Sequence, residues 1–482
     1  MNASVPLLKT ENFWQGQWQG APTRFAVTNP ATGEQLAEVA DATPEQAGLA
    51  VQAALDAFAS WSATAADERA ALLQRWQQLL LAHQGELALL LTLEQGKPLA
   101  EAKGEIAYGA SYLQWFAEEA RRVYGDTIPA ASTDKRILVL KQPVGVVTAI
   151  TPWNFPNAMI VRKAAAALAT GCTFVVKPAQ QTPLSALALA ELALQAGIPA
   201  GVFNVLASSD AKGIGEVFTQ DPRVAKFSFT GSTAVGKTLL AQCAQGVKRV
   251  SMELGGNAPF IVFDDADLDA AVQGLLASKF RNAGQTCVCT NRVYVQASVA
   301  EAFSKKVQQA VARLRLGNGC DHGVDLGPLI DEAACRKVEA LVQDALASGA
   351  NLICGGQRQS PDSLFYQPTV LSKVDDRMAV AKQEIFGPVL ALQSFDTEAE
   401  VLGKANATDY GLAAYFYSRD IGRIFRVAEG LQFGMVGVNE GIISNAAAPF
   451  GGVKQSGYGR EGSKYGLDDY LDIKYLCLGG LG

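Results

Sequence analysis

Histidine is almost absent from this chain of 482 residues, which contains only His83 and His322. Two histidines so far apart disfavour a metal centre with histidine ligands. Their scarcity also removes the side chain that most often transfers protons in enzymes. We therefore predict no metal site, and we expect a carboxylate to carry out any proton transfer.

Blocks of one charge and long apolar runs are lacking as well. The formal net charge is −6 and no basic stripe occurs, so nucleic-acid binding is not expected. The apolar runs, such as Leu79–Leu81 and Leu87–Leu91, are far shorter than a membrane span, and no membrane association is expected. No signal peptide is predicted, because the first residues lack a basic segment followed by an apolar core. Eight cysteines without a regular framework favour a reducing cytoplasm.

Strand-like and helix-like segments alternate along most of the chain, whose length suggests two or three domains. The β-rich runs RILVLKQ, VGVVTAI and CTFVVK are separated by helical stretches. Later, helices are predicted near Ala300–Leu314 and Glu332–Ala347, with a strand around Leu352–Cys354. This alternation predicts doubly wound parallel sheets, which bind ligands at the carboxyl ends of their strands. Three loops follow such ends: Thr151–Pro156, Lys177–Pro183 and Phe229–Lys237.

One of these loops suggests a nucleotide hydrolase. Gly231–Thr238 matches the phosphate-binding pattern G-x-x-x-x-G-K-[ST] in every letter. Phe260–Asp265 resembles the apolar strand ending in aspartate that holds magnesium in P-loop NTPases. An ATPase is thus one hypothesis, but it leaves Asn154, Glu253 and Cys287 without a role.

The segment Lys279–Cys289, KFRNAGQTCVC, carries a candidate nucleophile. Cys287 is flanked by small and polar residues, and Gly284 allows a tight turn beside it. Cysteine attacks as its thiolate, whose population is set by its neighbours. A buried packing cysteine is the alternative. The nucleophile hypothesis therefore requires a base, an oxyanion site and an electron acceptor elsewhere in the chain.

Seven motifs occur in one order along the chain: PWNFP, KPA, FTGS, MELGG, GQTC, EIFGP and PFGG. Through them the sequence resembles the aldehyde dehydrogenase superfamily from about Thr28 to the C-terminus, which overrides the NTPase hypothesis. The segments KFRNAGQTCVC, GLAAYFYSRD, VGVNEGIISN and GREGSKYG are most similar to the succinate-semialdehyde dehydrogenase subfamily. The resemblance implies oxidation of succinate semialdehyde to succinate with NADP or NAD, as in GABA degradation. Glutarate semialdehyde or another ω-carboxy aldehyde is the alternative substrate.

The resemblance also implies an α/β architecture with two doubly wound domains and a small β arm. The arm, around Thr127–Lys141 and Tyr470–Leu478, would complete a neighbour's sheet in a homodimer or homotetramer. The expected bounds are 1–121 and 142–251 for the dinucleotide-binding domain, 252–455 for the catalytic domain, and 122–141 and 456–482 for the arm and tail.

The same resemblance assigns the chemistry. Cys287 would attack the aldehyde carbon to form a thiohemiacetal. The Asn154 amide and the Cys287 backbone N–H would stabilise its oxyanion. After hydride transfer, Glu253 would activate the water that releases the acid from the thioester. The residues expected around the cofactor are Trp153, Lys177, Gln180, Gly231, Ser232, Glu384 and Phe386.

Arg162, Arg281 and Ser444 fall where the subfamily binds the substrate carboxylate. Arginine suits this role because it offers two parallel donors, although a surface position is the alternative for either arginine.

Two positions, Ala166 and Gln180, qualify the resemblance. Ala166 replaces a proline that is usual in the family, from which we expect a softer helix start. Gln180 stands where NAD-preferring relatives have an acid and NADP-preferring ones a small hydroxyl residue, so cofactor preference stays open. Cys289 could form a reversible disulfide with Cys287, with simple packing as the alternative.

Overall fold

The computed structural model describes residues 7–481. Within them, the strands in chain order are β1 (Asn12–Trp14), β2 (Gln17–Gln19), β3 (Thr23–Thr28), β4 (Gln35–Asp41), β5 (Thr127–Ile128), β6 (Arg136–Pro143), β7 (Val146–Ile150), β8 (Thr173–Lys177), β9 (Phe203–Val205), β10 (Val224–Thr230), β11 (Arg249–Glu253), β12 (Ala258–Val262), β13 (Thr290–Gln296), β14 (Asn351–Cys354), β15 (Thr369–Ser372), β16 (Val389–Phe395), β17 (Ala413–Tyr417), β18 (Met435–Val438), β19 (Gly457–Tyr458) and β20 (Leu471–Leu478).

The α-helices in the same part of the chain are α1 (Pro44–Ala63), α2 (Ala66–Ala82), α3 (Gln84–Gln95), α4 (Leu99–Glu119), α5 (Ala158–Thr170), α6 (Pro183–Gln195), α7 (Ala211–Gln220), α8 (Thr233–Ala244), α9 (Leu268–Phe280), α10 (Ala300–Val311), α11 (Glu332–Ala347), α12 (Ala379–Lys382), α13 (Glu398–Asn406) and α14 (Ile421–Gly430). Among residues 7–481, no helix is both long and apolar enough to cross a membrane.

The first sheet has the strand order β19-β11-β10-β7-β8-β9-β1-β2, and its central strands from β11 to β9 are parallel. Side chains alternate between two cores. Val146 and Val175 pack with α1, α7 and α8, whereas Val147 and Val176 pack with α2 to α6. Because both faces are covered by helices, the central strands β7 and β8 consist mainly of apolar residues, VVTAI and TFVVK.

The second sheet has the order β14-β15-β16-β13-β12-β17-β18 and is parallel except for β14. Its faces also alternate, since Phe260 packs with α9 to α11 and Ile261 packs with α13 and α14. The two doubly wound sheets confirm the predicted fold class.

A separate antiparallel sheet, β20-β6-β5, forms the region predicted as the arm. Its register runs from Leu471 opposite Pro143 to Leu478 opposite Arg136. Gly457 and Tyr458, included in the predicted tail, pair instead with β11 at the edge of the first sheet. Strands β3 and β4 form a two-stranded antiparallel sheet.

Local sequence sets where the first helix begins. Thr43 and Gln46 form a capping box at the start of α1, with Pro44 at its first position. The expectation for Ala166 was wrong, because this residue lies in the middle of α5 rather than at its start. An alanine there keeps the helical N–H that proline would lack.

Candidate active site

The carboxyl ends of the first sheet's parallel strands meet along one edge. Ile150 at the end of β7 lies beside Lys177 at the end of β8, and Thr230 at the end of β10 lies beside Glu253 at the end of β11. The loops that follow these residues therefore open into one crevice, as is usual for open α/β sheets.

A cleft of about 660 Å³ occupies this edge. Cys287 and Asn154 line it together with every residue predicted for the cofactor: Trp153, Lys177, Gln180, Gly231, Ser232, Glu384 and Phe386. The lining comes from loops of both large sheets, so the cleft lies between them. The residues predicted near the chemistry that do not line this cleft are Glu253, Arg162, Arg281, Ser444 and Cys289.

The loop that carries Cys287 turns through three consecutive residues with positive φ, namely Asn282 (50°), Ala283 (53°) and Gly284 (76°). A Cβ on Gly284 would overlap the carbonyl oxygen of Gly387, so the predicted tight turn does require glycine here. Backbone conformations of this kind cost free energy and persist only where the surroundings enforce them.

The Cys287 thiol is half-buried and its charge state depends on its neighbours. Burial raises its pKa to about 12, and the carboxyl groups of Glu384 and Glu253 add to that rise, while the guanidinium of Arg162 opposes it. In this arrangement the group rests as a neutral thiol at pH 7. A base, or a change in charge nearby, is therefore needed to form the thiolate.

Asn154 is buried, and hydrogen bonds hold both its side chain and its backbone. Its Nδ2 donates to the carbonyl oxygen of Gln285 at 2.9 Å, and its backbone carbonyl oxygen accepts from Lys97 Nζ at 2.7 Å and Asn282 Nδ2 at 3.0 Å. One Nδ2 hydrogen is left for another acceptor, as an oxyanion donor requires.

Glu253 is 3% exposed at the end of β11. Burial raises its pKa well above the ordinary range and Glu461 adds to this rise, while Arg162 and Lys163 oppose it. Among the described residues, its Oε2 has no hydrogen-bond partner. A carboxyl group with a free oxygen can accept a proton, and a raised pKa makes its carboxylate a stronger base.

Aromatic rings and a carboxyl group shape part of the cleft that Cys287 lines. The Trp153 and Phe386 rings pack edge to face with centroids 5.5 Å apart. Glu384 Oε1 accepts from the Gly256 N–H at 3.0 Å, and burial raises the pKa of Glu384 to about 7. A Cβ on Gly255 would lie 2.8 Å from this carboxylate, so glycine keeps the cleft open here.

The predicted carboxylate clamp is only partly exposed. Arg162 is 1% exposed, forms an ion pair with Glu461 and stacks on the Phe450 ring at 4.3 Å. Arg281 is half-buried against the Phe155 ring at 5.3 Å. Ser444 is half-buried too. Neither arginine is therefore an ordinary surface residue, and among the described residues both Nη atoms of Arg162 lack a hydrogen-bond acceptor.

The sequence profile of the aldehyde dehydrogenase family matches residues 18–476. The chain belongs to this family. It is 61% identical to 3-sulfolactaldehyde dehydrogenase of Pseudomonas putida, 58% identical to succinate-semialdehyde dehydrogenase [NADP(+)] of Escherichia coli and 57% identical to glutarate-semialdehyde dehydrogenase of Pseudomonas aeruginosa. These alignments cover 98% of this chain and, respectively, 98%, 98% and 99% of the relatives.

Solved structures of the family agree with the fold. A succinate-semialdehyde dehydrogenase from Burkholderia pseudomallei has a TM-score of 0.98 and 57% identity, with 99% of both chains covered. A betaine aldehyde dehydrogenase from Staphylococcus aureus, solved in complex with NAD+, has a TM-score of 0.96 and 36% identity over 99% of this chain and 96% of that one.

The alternative interpretation as a P-loop NTPase is wrong. Only Gly231 and Ser232 separate β10 from α8, so Lys237 lies inside the helix, where it donates to Gln455 at 2.8 Å. Asp265 follows β12 of the second sheet and accepts from the N–H groups of Arg419 and Asp420. The two halves of the apparent nucleotide motif therefore follow strands of different sheets in this aldehyde dehydrogenase.

Cys289 packs behind the Cys287 loop. It is 2% exposed, and its Sγ donates to the carbonyl oxygen of Gly284 at 3.2 Å. Both cysteines are free thiols. A regulatory disulfide between them stays a prediction.

Sequence reasoning missed the buried charges that surround the predicted site. Glu461 pairs with both Arg162 and Lys163, and Lys97 pairs with Glu105 at 2.6 Å. One feature of the sequence indicates such a pair: Arg162 and Lys163 are adjacent cations in an otherwise apolar helical run. Buried cations need carboxylate partners, so that run predicts an acid nearby without saying which one.

Proposed function

We propose that this aldehyde dehydrogenase oxidises succinate semialdehyde to succinate with NADP or NAD as the hydride acceptor. The observation that supports it most directly is that Cys287, Asn154 and all seven residues assigned to the cofactor line one cleft. The relatives named for succinate semialdehyde, glutarate semialdehyde and 3-sulfolactaldehyde are similarly close in sequence. These three aldehydes share an anionic group at the far end, which favours a substrate of that class.

The cleft suits a dinucleotide. Ser232 caps α8 by accepting from the Val235 N–H, and Gly231 has no room for a Cβ beside the Phe229 ring. A helix start next to glycine favours a pyrophosphate. Lys177 donates to the Pro178 carbonyl oxygen at 3.2 Å, which leaves hydrogens for a ribose hydroxyl. Burial lowers the pKa of Lys177 to about 8.

The chemistry follows from the charges around Cys287. The Cys287 thiol gives up its proton to solvent, its sulfur adds to the aldehyde carbon, and the Asn154 amide and the Cys287 N–H hold the resulting oxyanion. NADP or NAD, which Lys177, Gly231, Ser232 and Glu384 would hold, would supply the hydride acceptor for that carbon. Glu253 then removes a proton from water, which attacks the thioester and releases the acid and the Cys287 thiol.

Recognition of the distal carboxylate is assigned to Arg162, Arg281 and Ser444. Arg162 supports this role because its unpartnered Nη groups are buried, where an incoming carboxylate would satisfy them. One methylene changes binding in such a pocket by only about 1–3 kcal/mol, so glutarate semialdehyde is the alternative substrate.

Steady-state assays with both cofactors test the proposal. They should compare succinate semialdehyde, glutarate semialdehyde, 3-sulfolactaldehyde and uncharged butanal, with kcat/KM highest for succinate semialdehyde. Cys287→Ala should abolish hydride transfer. Glu253→Gln should give a stoichiometric burst of reduced cofactor and then stall at the thioester. Turnover of Glu253→Gln at the wild-type rate would show that Glu253 is not the general base. A higher kcat/KM for butanal than for the anionic aldehydes would refute the substrate class.

The remaining assignments concern the whole chain. We propose that the domain division follows the sheets, with the first sheet binding the dinucleotide and the second carrying Cys287. The sheet of β5, β6 and β20 is proposed to join a neighbouring subunit in a homodimer or homotetramer. A cytoplasmic location is proposed from the cysteine usage.

A further inference from the structure

Lys97 is a buried cation that reaches the backbone of the predicted oxyanion donor. Its side chain is 1% exposed, and its Nζ donates to Glu105 Oε2 at 2.6 Å and to the carbonyl oxygen of Asn154 at 2.7 Å. The ammonium also lies 3.9 Å from the centre of the Phe155 ring. An ammonium buried this fully is costly unless its hydrogens are partnered, so these three contacts restrict where Asn154 can lie.

Glu105 attaches the far end of the same loop. Its Oε1 accepts from the N–H groups of Asn157 at 2.9 Å and Ala158 at 3.2 Å, at the start of α5. Carboxylates are favoured at helix N-termini, where backbone N–H groups lack helical partners. The Lys97–Glu105 pair therefore joins the loop from Asn154 to Ala158 to the beginning of α4.

The Cys287 loop is attached to the same helix. Glu101 Oε2 accepts from the Asn282 N–H at 2.7 Å, and Asn282 Nδ2 donates to the carbonyl oxygen of Asn154 at 3.0 Å. That carbonyl oxygen thus receives one donor from each side, Lys97 and Asn282. It is the point at which the two loops of the predicted oxyanion site meet.

We propose that Lys97, through its pair with Glu105, is a positioning residue that sets the Asn154 amide at the correct distance from Cys287. This inference rests on the proposed function, because it needs Asn154 to stabilise the oxyanion. Donors stabilise a transition state only when they are fixed where charge develops, so a small shift of the Asn154 backbone weakens the effect.

The double variant Lys97→Met/Glu105→Gln removes both charges, so no unpaired buried carboxylate is left behind. The introduced glutamine can still accept from the start of α5 through its side-chain carbonyl oxygen. Arg69→Met is the matched control: Arg69 is also buried in the first domain, but it donates to the carbonyl oxygen of Ala169 at 3.1 Å, away from the cleft. Both variants are expected to lose stability.

The decisive measurement is the single-turnover rate of cofactor reduction, with and without Asn154→Ala. The double variant should slow this step by about tenfold to a hundredfold, whereas Arg69→Met should leave it unchanged. In the Asn154→Ala background, the double variant should add less than about twofold, because the donor that it positions is gone. Alkylation of Cys287 and binding of the cofactor, which need no oxyanion donor, should change by less than about threefold.

Equal losses in both backgrounds would show that the Lys97 pair acts on stability alone and would overturn the inference. If Asn154→Ala alone left the rate unchanged, the oxyanion assignment and this inference would both fail. Equal losses in both backgrounds would refute the inference about Lys97 but leave the oxyanion assignment of Asn154 in place. Should the double variant not fold, Asn282→Ala removes the second donor to the Asn154 carbonyl without burying a charge. It should show the same non-additivity with Asn154→Ala, and additive losses there would equally refute the inference.

Discussion

At the residue scale, charge pairing explains how so many ionisable groups share one site. Burial by itself would raise the pKa of Glu461, but the charges of Arg162 and Lys163 outweigh burial and lower this pKa below its usual value. Glu461 therefore stays ionised. Glu253 belongs to the same cluster of charged residues but has no direct contact with a cation in the described part of the chain, and burial raises its pKa. The surroundings thus shift the pKa values of these two buried carboxyl groups in opposite directions. In the proposed mechanism this leaves Glu253 available for proton transfer and Glu461 as a fixed charge.

Arg281→Ala tests recognition of the substrate carboxylate. Arg281 is preferable to Arg162, whose removal would leave Glu461 short of a partner in the core. We expect kcat/KM for succinate semialdehyde to fall, because a charge-assisted pair is lost. The loss of transition-state binding free energy should be on the order of 2–5 kcal/mol. Butanal, which has no carboxylate, serves as the internal control. Equal losses for both aldehydes would indicate damage to the neighbouring Cys287 loop instead.

Gln180 tests cofactor preference. It is exposed and lines the cleft that also contains Lys177. A neutral amide repels neither cofactor, so NADP and NAD should give kcat/KM values within roughly a hundredfold, or about 3 kcal/mol. Gln180→Glu should shift the ratio towards NAD by repelling the extra phosphate, and Gln180→Ser towards NADP. An unchanged ratio in both variants would place specificity elsewhere in the ribose pocket.

At the element scale, Glu94 joins two helices in a pH-dependent way. At the end of α3, its carboxyl oxygens accept from the N–H groups of Leu184 and Ser185 at 2.8 Å, at the start of α6. Burial raises its pKa from 4.5 to about 8. The folded protein therefore holds this proton up to a higher pH than the unfolded chain does, and stability falls as pH rises between these two values.

Urea unfolding of wild type and Glu94→Gln across that pH range measures the effect. The wild-type free energy of unfolding should fall by up to roughly 4–5 kcal/mol between about pH 5 and about pH 9, and the fall should be smaller in Glu94→Gln. The glutamine loses one hydrogen bond, but that cost is the same at every pH. A difference between the two proteins that stays constant with pH would contradict the assignment.

At the scale of the whole molecule, the β5–β6–β20 sheet has an edge strand, β20, with exposed apolar side chains. In the single chain, Ile473 and Tyr475 of β20 are 74% and 64% exposed. An exposed edge strand with apolar side chains is a surface for pairing with another chain. This exposure supports the proposed homo-oligomer.

The variant Ile473→Asp/Tyr475→Asp tests that proposal by sedimentation velocity. We expect it to dissociate to smaller species, because buried aspartates would oppose the interface. Leu49→Asp is the control, since Leu49 is 54% exposed on α1 and lies outside this sheet. An unchanged mass for the β20 variant, or the same dissociation in the control, would contradict the assignment of the interface to this sheet.

The sequence alone determined the fold class, the course of most elements and the residues of the cleft. Helix α11 spans Glu332–Ala347 as predicted, and β14 contains the strand predicted around Leu352–Cys354, because apolar periodicity and caps are local properties. The ordered motifs identified Cys287 and the loops that line the cleft with it for a related reason. Each motif is a short segment at a strand end, and parallel strands bring their carboxyl ends to one edge.

Only the tertiary structure decided which buried charges pair with each other and whether the apparent nucleotide motif forms a phosphate-binding loop. Lys97 and Asn154 are 57 residues apart, and Lys163 and Glu461 are 298 apart, so no local pattern connects them. The sequence of Gly231–Thr238 matches a phosphate-binding loop, but α8 begins at Thr233 and Lys237 therefore lies within a helix. Local sequence sets which groups must be paired when buried. Which partner each one meets depends on packing across the whole fold, because burial makes a charge costly whatever the sequence separation of its partner.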